Sequence, residues 1–287
     1  MLLPSASAAS PVTTLCSSIP NYSSGDFPTA LYPATGGAFV ETGFGNLVFC
    51  GGGNSNLIAS SPYGTAPWDG MGGVKTKTDG IVLALTNYAT PGLWICYGAT
   101  SAGCSSTSGF INLPASFCSS EPKGYCDPQG TALDKSLNLY YVDYDNAKLV
   151  ECTASSGYQS CSNLAASSAL AGHSPIGLFL QGTTFYITDY SCTGTIWKGT
   201  KSSLSVIYTT GEEIGSIAVS TNNPSKSLHV YVGMTGFCKG TSAFIKDLTD
   251  GKKLASPFTA PESLYIDSKL QFDSSYFSAV YQTKDLS

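Results

Sequence analysis

The sequence predicts an all-β fold, a six-bladed β-propeller of four-stranded antiparallel blades. Three features lead to this prediction: a pattern that recurs about every 47 residues, several short apolar stretches in each repeat, and a chain with 31 glycines but only 11% charged residues. Anchors of the pattern stand at positions 30, 73, 130, 177, 215 and 263, so six repeats span the 287-residue chain. Four strands in roughly 40 to 50 residues are typical of a propeller blade, whereas a β-sandwich would not explain the repeat.

Each repeat opens at a turn with proline or glycine, and an aromatic or β-branched stretch follows as the expected second strand. These second strands are Ala38–Glu41, Val82–Asn87, Leu139–Tyr144, Phe185–Tyr190 and His229–Val232. The sixth repeat, around Pro261–Ser263, is short, so we expect a strand from Pro11–Leu15 to complete the last blade and close the ring without an exposed edge. Leu164–Leu170 is rich in alanine and serine but lacks a capped apolar stripe, so no helix is predicted there.

Residues 11–287 are expected to form a single propeller domain. Residues 1–10, MLLPSASAAS, are expected to be disordered or the remnant of a signal peptide, because they resemble its small-residue end without its charged and apolar portions. No apolar run approaches the roughly 18 residues needed to cross a bilayer, so no membrane span is predicted.

The ten cysteines predict disulfides and therefore a secreted protein. Three pairs each enclose a short turn that would bring two strands side by side: Cys96–Cys104, Cys118–Cys126 and Cys152–Cys161. Cys192 and Cys238 each follow the second strand of neighbouring repeats, and a bridge between adjacent blades fits that equivalence. The alternative is a set of buried free thiols in a cytosolic core. Asn21-Tyr22-Ser23 is an acceptor sequon, which predicts glycosylation at Asn21 on a secretory route.

Two stretches resemble known propeller families. Pro128-Gln129-Gly130 before Leu139–Asp143, and Pro175-Ile176-Gly177 before Phe185–Asp189, are similar to NHL-type and related YncE-like and SMP-30-like repeats. Leu15–Pro20, followed by Ala34–Ala38 and Leu47–Gly52, is similar to the kelch-like blades of some extracellular proteins, and this resemblance implies a Cys16–Cys50 link. Both resemblances imply a propeller, and neither implies one activity, because propellers carry many functions.

Charge and motif content exclude several classes of function. All 14 basic residues are lysine and the net charge is −5, so the chain has no arginine forks for phosphate or guanine, and nucleic acid is not expected as a partner. Zinc-site spacing, the nucleophile elbow, the metalloprotease motif and the dinucleotide motif are absent. A Ser–His–Asp relay would need His173 or His229, and we expect both histidines to be structural.

Aligned repeats place four polar residues where the second strand ends: Glu41, Asn87, Asp143 and Asp189. In a ring these would lie at one level, and their oxygens would suit a hard cation such as Ca²⁺, which could polarise an ester or lactone carbonyl. SMP-30-like enzymes use that general logic. The alternative is that each side chain caps the turn that follows its strand.

Two functions are therefore expected. The first is a secreted, disulfide-linked binding or structural module that recognises a glycan or an extracellular protein on one face, as the abundance of tyrosine and neutral polar residues allows. The second is a Ca²⁺-assisted hydrolase or lyase of the SMP-30 or lactonase kind with its site at the central channel. No cofactor other than Ca²⁺ is expected.

Overall fold

A computed structural model describes residues 13–16, 28–42, 45–60, 70–87, 92–220, 228–255, 264–266, 270–274 and 279–283. The predicted glycosylation site at Asn21 and the N-terminal residues 1–10 lie outside the described residues. Within these ranges the regular secondary structure is almost entirely β-strand, with irregular connections between the strands.

The strands follow one another along the chain with short connections. The first twelve are β1 (Thr13–Cys16), β2 (Pro28–Ala34), β3 (Gly37–Thr42), β4 (Asn46–Gly51), β5 (Asn54–Ser60), β6 (Gly70–Lys75), β7 (Ile81–Asn87), β8 (Gly92–Cys96), β9 (Gly109–Asn112), β10 (Pro128–Leu133), β11 (Leu139–Asp143) and β12 (Lys148–Cys152). The others are β13 (Cys161–Asn163), β14 (Pro175–Gln181), β15 (Thr184–Asp189), β16 (Thr195–Gly199), β17 (Leu204–Thr209), β18 (Ile214–Ser220), β19 (His229–Met234), β20 (Phe244–Asp247), β21 (Lys253–Ala255), β22 (Leu264–Ile266), β23 (Leu270–Ser274) and β24 (Ala279–Thr283).

In the described part of the chain these strands form six four-stranded antiparallel sheets. Sheets 1 to 5 are β2–β5, β6–β9, β10–β13, β14–β17 and β18–β21, each in sequence order, and sheet 6 has the order β1-β24-β23-β22. One strand of each sheet packs beside its counterpart in the next sheet. In order these strands are β2, β6, β10, β14, β18 and β22, and β22 packs again beside β2. The prediction of an all-β propeller with four-stranded antiparallel blades is confirmed.

The N-terminal strand completes the last sheet. Thr14 of β1 pairs with Tyr281 of β24, so the outer strand of sheet 6 comes from the opposite end of the chain from its other three strands. Leu15 and Cys16 are buried in a cluster with residues of sheet 1 such as Val40 and Val48. The expected closing strand is thus present, and it joins the two ends of the sheet series.

Glycines on the inner strands let neighbouring sheets approach closely. A Cβ atom on Gly72 of β6 would collide with the backbone of Thr131 and Ala132 in β10, and one on Gly130 of β10 would collide with the backbone of Ile176 in β14. The glycines that anchor the sequence repeat therefore reflect packing of one sheet on the next.

The core lies between the sheets, because alternate residues of a strand face opposite neighbours. Leu139 and Tyr141 of β11 pack in a cluster with Val82 of sheet 2, whereas Tyr140 of the same strand packs with Phe185 of sheet 4. The rings of Tyr140 and Phe185 make an edge-to-face contact with centroids 5.1 Å apart. Six tyrosines and one tryptophan are buried in this core: Tyr32, Tyr140, Tyr141, Tyr158, Tyr186, Tyr231 and Trp197.

Short helical turns occupy connections between strands. One α-helix, α1 (Ala115–Ser120), precedes β10, and 3-10 helices span Ala154–Ser156 and Ala165–Leu170. The 3-10 helix at Ala165–Leu170 lies where no helix was predicted. Its Ala166 and Leu170 are buried in a cluster with Trp197, so tertiary packing stabilises a helical turn that the local sequence does not favour. No helix within the described ranges is long and apolar enough to cross a membrane.

All ten cysteines are paired, and the pairs are those expected: Cys16–Cys50, Cys96–Cys104, Cys118–Cys126, Cys152–Cys161 and Cys192–Cys238. Three of them span at most 9 residues, whereas Cys16–Cys50 and Cys192–Cys238 span 34 and 46 residues and each joins two sheets. Five disulfides indicate that the protein matures in an oxidising environment.

Candidate functional site

One face of the sheet series carries two kinds of connection: those from the second to the third strand of a sheet, and those from the fourth strand of one sheet to the first strand of the next. We call it the loop face; its well-described connections are 113–127, 144–147, 164–174, 190–194, 210–213 and 235–243. The opposite face carries the remaining connections.

The two faces differ in charge. Among residues whose side chains are described, the loop face carries eight carboxylates against three lysines: Glu41, Glu121, Asp127, Asp143, Asp145, Asp189, Glu212 and Glu213 against Lys123, Lys148 and Lys239. The opposite face carries seven lysines against five carboxylates: Lys75, Lys77, Lys135, Lys198, Lys201, Lys246 and Lys252 against Asp79, Asp134, Glu151, Asp247 and Asp250. Lys253, on the outer strand β21, is counted with neither face. The loop face is therefore the acidic face of the described molecule.

The four residues of the predicted cation ring all lie at or next to the end of a second strand, and all are fully buried. They are Glu41, Asn87, Asp143 and Asp189. Pro128 pairs with Asp143 and Pro175 with Asp189, but Pro28 pairs with Thr42, so Thr42 rather than Glu41 is the equivalent position in sheet 1. A shift of one residue turns a side chain to the other side of its sheet, so Glu41 does not face as Asp143 and Asp189 do.

Asp143 caps the turn after β11. Its Oδ1 accepts hydrogen bonds from the backbone N–H of Asn146 (3.2 Å) and of Asp127 (3.2 Å), and the Asn146 amide donates to both carboxylate oxygens at 3.0 Å. Burial raises the pKa of Asp143, while these hydrogen bonds act in the opposite direction. Thr42 has the same role in sheet 1, where its Oγ1 accepts from the N–H of Asn46 (3.3 Å).

Asp189 caps the corresponding turn in sheet 4 and also holds a histidine. Its Oδ1 accepts from the N–H of Ser174 (3.0 Å), and its Oδ2 accepts from Ser191 Oγ (2.5 Å) and lies 3.0 Å from His173 Nδ1. The His173 ring is one-third exposed and meets the edge of Trp197 with centroids 4.8 Å apart. A carboxylate on Nδ1 orients an imidazole so that its other nitrogen can accept a proton, which is the chemistry of a general base.

The cation ring stays a prediction. In the described residues, the group of histidine and acidic ligand atoms that all lie within 4.8 Å of one another is His229, Asp247 and Asp250, on the opposite face. His229 Nδ1 is 2.5 Å from Asp247 Oδ2, and Lys252 pairs with Asp250 at 3.0 Å. The oxygens of Asp143 and Asp189 are instead engaged by protein donors, as the turn-cap alternative predicts.

An acidic cluster surrounds the connection that leads into sheet 3. The pKa of Asp127 is raised to about 6, chiefly because burial disfavours its charged form; a hydrogen bond from Gln129 acts against this, and repulsion from Asp145 and Asp143 adds to it. Tyr125 donates a short hydrogen bond to Asp145, which raises the pKa of the phenol. The side chain of Tyr125 is nonetheless 44% exposed.

Replacing Asp127 with asparagine should stabilise the protein at neutral pH. The pKa of Asp127 is higher in the folded protein than its value near 4 in the unfolded chain, so ionisation of Asp127 lowers the free energy of unfolding. This loss is absent below about pH 4, where Asp127 is protonated in both states, and is complete above about pH 6, where it is ionised in both. After a discount for partial exposure, we expect Asp127→Asn to raise the free energy of unfolding by about 1–2 kcal/mol at pH 7.5 and to leave it unchanged at pH 3.5. Urea unfolding across this range measures the effect.

Asp250→Asn is the matched control for this pH series. Burial acts to raise the pKa of Asp250, but its hydrogen bonds with Lys252 and the nearby positive charge together outweigh burial and lower it. Its contribution to stability is present at neutral pH and is lost on acidification, so the substitution should have the opposite sign. An Asp127→Asn variant that is destabilised at pH 7.5 would contradict the assignment.

A disulfide fixes two neighbouring loops of this face. Cys192 lies in the connection after β15 and Cys238 in that after β19, and the Cα atoms of the two residues are 5.5 Å apart. Phe237, next to Cys238, is 79% exposed to solvent. No other large apolar residue whose burial is described is as exposed. Sequence reasoning did not single out Phe237, because exposure of an aromatic residue in a loop has no signal in the repeat.

A pocket of about 430 Å³ lies at the margin of the loop face, below the same connection. It is lined by Glu212, Lys239, Thr241, Ser242, Ala243, Phe244 and Lys253. The sequence analysis missed this group because its members come from separate connections and from the two outer strands of sheet 5.

Comparisons with known proteins agree with this architecture. No protein-family model matches the chain, and no characterised protein sequence matches it. Among solved structures, a catalytically inactive histidine-to-alanine variant of virginiamycin B lyase from Staphylococcus aureus, bound to quinupristin, superposes with a TM-score of 0.61 at 10% identity, covering 96% of this chain and 99% of that one. A Bacteroides thetaiotaomicron protein of unknown function gives a TM-score of 0.65 at 12% identity over 95% of this chain and 75% of its own.

A Thermus thermophilus protein assigned as an oxidoreductase (glucose dehydrogenase) gives a TM-score of 0.58 at 11% identity, with 96% of this chain and 99% of that chain covered. Identities this low relate the folds and not the activities. What the comparisons establish is that this chain is a β-propeller.

Proposed function

We propose that this chain is a secreted propeller, with its six sheets closed into one ring, that binds an extracellular protein through the loop face. The observation that carries the proposal is Phe237, a highly exposed aromatic residue beside a disulfide that ties two loops together. A fixed aromatic side chain loses little conformational freedom on binding, which is why such residues dominate the energy of protein interfaces.

Charge gives the class of partner. The excess of carboxylates on the loop face favours a basic partner surface and disfavours sulfated or otherwise anionic glycans. Neutral glycans are recognised by stacking on exposed aromatic rings, and within the described residues the aromatic side chains that exceed 40% exposure are Tyr125 and Phe237. Trp197 and six of the described tyrosines are buried, so the face has few stacking platforms and suits a protein better.

The proposal is tested by interferometry of the oxidised full chain against an array of purified extracellular proteins of known isoelectric point and against neutral polysaccharides. We expect binding to basic proteins that weakens with added salt, and we expect Phe237→Ser to reduce the affinity at least about tenfold. The matched control is Val206→Ser: Val206 is 55% exposed but lies on the outer strand β17, away from the loop face.

Three results would overturn the proposal. They are binding that Val206→Ser weakens as much as Phe237→Ser does, binding confined to neutral polysaccharides, and no binding to any protein of the array. The second of these would identify a glycan as the ligand of the face.

A hydrolase or lyase acting on this face is the second candidate function, and the His173–Asp189 pair favours it. A histidine held at Nδ1 by a buried carboxylate is equipped to remove a proton from a substrate or a water molecule. The Ca²⁺ expected from the sequence would require oxygens of Asp189 that now accept hydrogen bonds. A hydrolase of this kind would cleave model esters or lactones with water and lose that activity in Asp189→Asn.

A further inference from the structure

The pocket at the margin of the loop face has walls from three parts of the chain. Glu212 comes from the connection between sheets 4 and 5, Lys239 and Thr241–Ala243 come from the connection after β19, and Phe244 and Lys253 come from β20 and β21. The disulfide Cys192–Cys238 ties the connection after β19, which supplies Lys239 and Thr241–Ala243, to the connection after β15.

Glu212 lines this pocket, and its carboxylate is almost fully buried. The residue is 1% exposed, and its Oε1 accepts from the N–H of Cys238 (3.0 Å) and of Glu213 (3.3 Å). Its Oε2 is buried and has no hydrogen-bond partner among the described residues. A buried carboxylate oxygen without a donor is costly, so this atom is an acceptor that a bound cation or N–H group would satisfy.

The other polar groups of the pocket are cationic. Lys239 Nζ donates to the carbonyl of Thr210 at 3.2 Å, which leaves two of its three protons for other acceptors. Lys253 Nζ lies 4.2 Å from the centroid of the Phe244 ring. The pocket thus offers one carboxylate oxygen, two ammonium groups and one apolar ring.

We propose that this pocket binds a small zwitterion, an α-amino acid with an apolar side chain. Its ammonium group donates to Glu212 Oε2, its carboxylate pairs with Lys239 and Lys253, and its side chain packs on Phe244. A ligand with only a cation would meet two like charges, and a ligand with only an anion would leave Glu212 without a donor, so both charges are required. This site is separate from the protein-binding surface around Phe237 and does not depend on it.

The experiment is calorimetric titration of the oxidised full chain with L-leucine. N-acetyl-leucine, which lacks the ammonium group, and leucinamide, which lacks the carboxylate, are the matched controls. We expect saturable binding of L-leucine and an affinity lower by at least about tenfold for each control compound, because each leaves one set of charged groups in the pocket unpaired.

Variants locate the site on the protein. Glu212→Gln keeps the acceptor for Cys238 and removes the charge, and Lys253→Gln removes one cation; each should weaken L-leucine binding at least about tenfold. Glu213→Gln is the control, since Glu213 is the adjacent carboxylate but does not line the pocket. Thermal unfolding of each variant checks that it folds. If Glu212→Gln does not fold, Lys253→Gln still provides the test, because Lys253 is an exposed strand residue.

Absence of L-leucine binding at millimolar concentration would overturn the proposal, as would equal affinities for L-leucine and its N-acetyl derivative. Equal losses in Glu212→Gln and Glu213→Gln would also overturn it. A crystal structure with the Lys239 ammonium on Glu212 Oε2 would show that the chain supplies its own cation, which would exclude the ligand.

Discussion

Removing the Cys16–Cys50 disulfide should lower the free energy of unfolding by about 4 kcal/mol, more than removing a disulfide within one sheet. The bond encloses 34 residues, and the loss of chain entropy in the unfolded state grows with the length of the enclosed loop. It also joins β1, the outer strand of sheet 6, to β4 in sheet 1, where both cysteines are fully buried. Without it, β1 is held by its pairing with β24 and by the cluster around Leu15.

The matched control is the Cys96–Cys104 disulfide, which encloses 8 residues next to β8 and joins no two sheets. Its removal should cost about 2.5 kcal/mol on the same entropic model. Guanidinium unfolding of Cys16→Ala/Cys50→Ala and of Cys96→Ala/Cys104→Ala, both oxidised at the remaining cysteines, compares the two. Equal losses would show that the link between sheets 6 and 1 adds nothing to the stability of the ring.

The repeat allowed the sequence to predict the second strands closely, because their burial on both sides leaves a continuous apolar stretch. The predicted Val82–Asn87, Leu139–Tyr144 and Phe185–Tyr190 correspond to Ile81–Asn87, Leu139–Asp143 and Thr184–Asp189. The same repeat placed Cys192 and Cys238 in equivalent connections, and their bridge follows from that equivalence.

The shift between Glu41 and Thr42 shows where the repeat fails. The first strands of sheets 1, 3 and 4 each carry a one-residue bulge after the paired proline, so the bulge does not set sheet 1 apart. Thr42 lies 14 positions after Pro28, as Asp189 lies 14 positions after Pro175, so alignment on these prolines selects Thr42, whereas alignment on the apolar second strands selected Glu41. An offset of one residue decides which side chain turns to which side of the sheet.

Two contacts between connections were not predicted, and only one of them had no signal in the sequence. His173 lies two residues before Pro175, and Pro175 pairs with Asp189, so the repeat did contain the information that brings His173 to Asp189. The approach of Glu212 to Cys238 had no such signal, because it depends on the path of two irregular loops. Irregular connections have no periodicity from which their conformation could be read.

Asp189→Ala should destabilise the protein by about 3 kcal/mol, because the N–H of Ser174 and the hydroxyl of Ser191 lose their acceptor in a site from which water is largely excluded. Asp189→Asn keeps an acceptor for Ser174 and should cost about 1 kcal/mol. The fully buried position of Asp189 means that water cannot replace the lost carboxylate.

The same variants distinguish a turn cap from a cation ligand. If Asp189 only caps its turn, each of the three proteins has the same unfolding temperature in EDTA as in millimolar Ca²⁺. We expect this result, because the oxygens of Asp189 already accept hydrogen bonds from the protein. A cation that binds only the folded state would instead raise the wild-type unfolding temperature, and Asp189→Asn would abolish the increase.

Turnover of model esters and lactones by the same three proteins separates the remaining possibilities. Hydrolysis by the wild-type protein that requires Ca²⁺ and is lost in Asp189→Asn would support a metal-assisted enzyme. Hydrolysis that is independent of Ca²⁺ but lost in Asp189→Asn would point to His173 as the base, because the variant alters the group that orients its ring. With no hydrolysis by any of the three, the 3.0 Å contact between His173 and Asp189 has a structural role, and the loop face acts through binding alone.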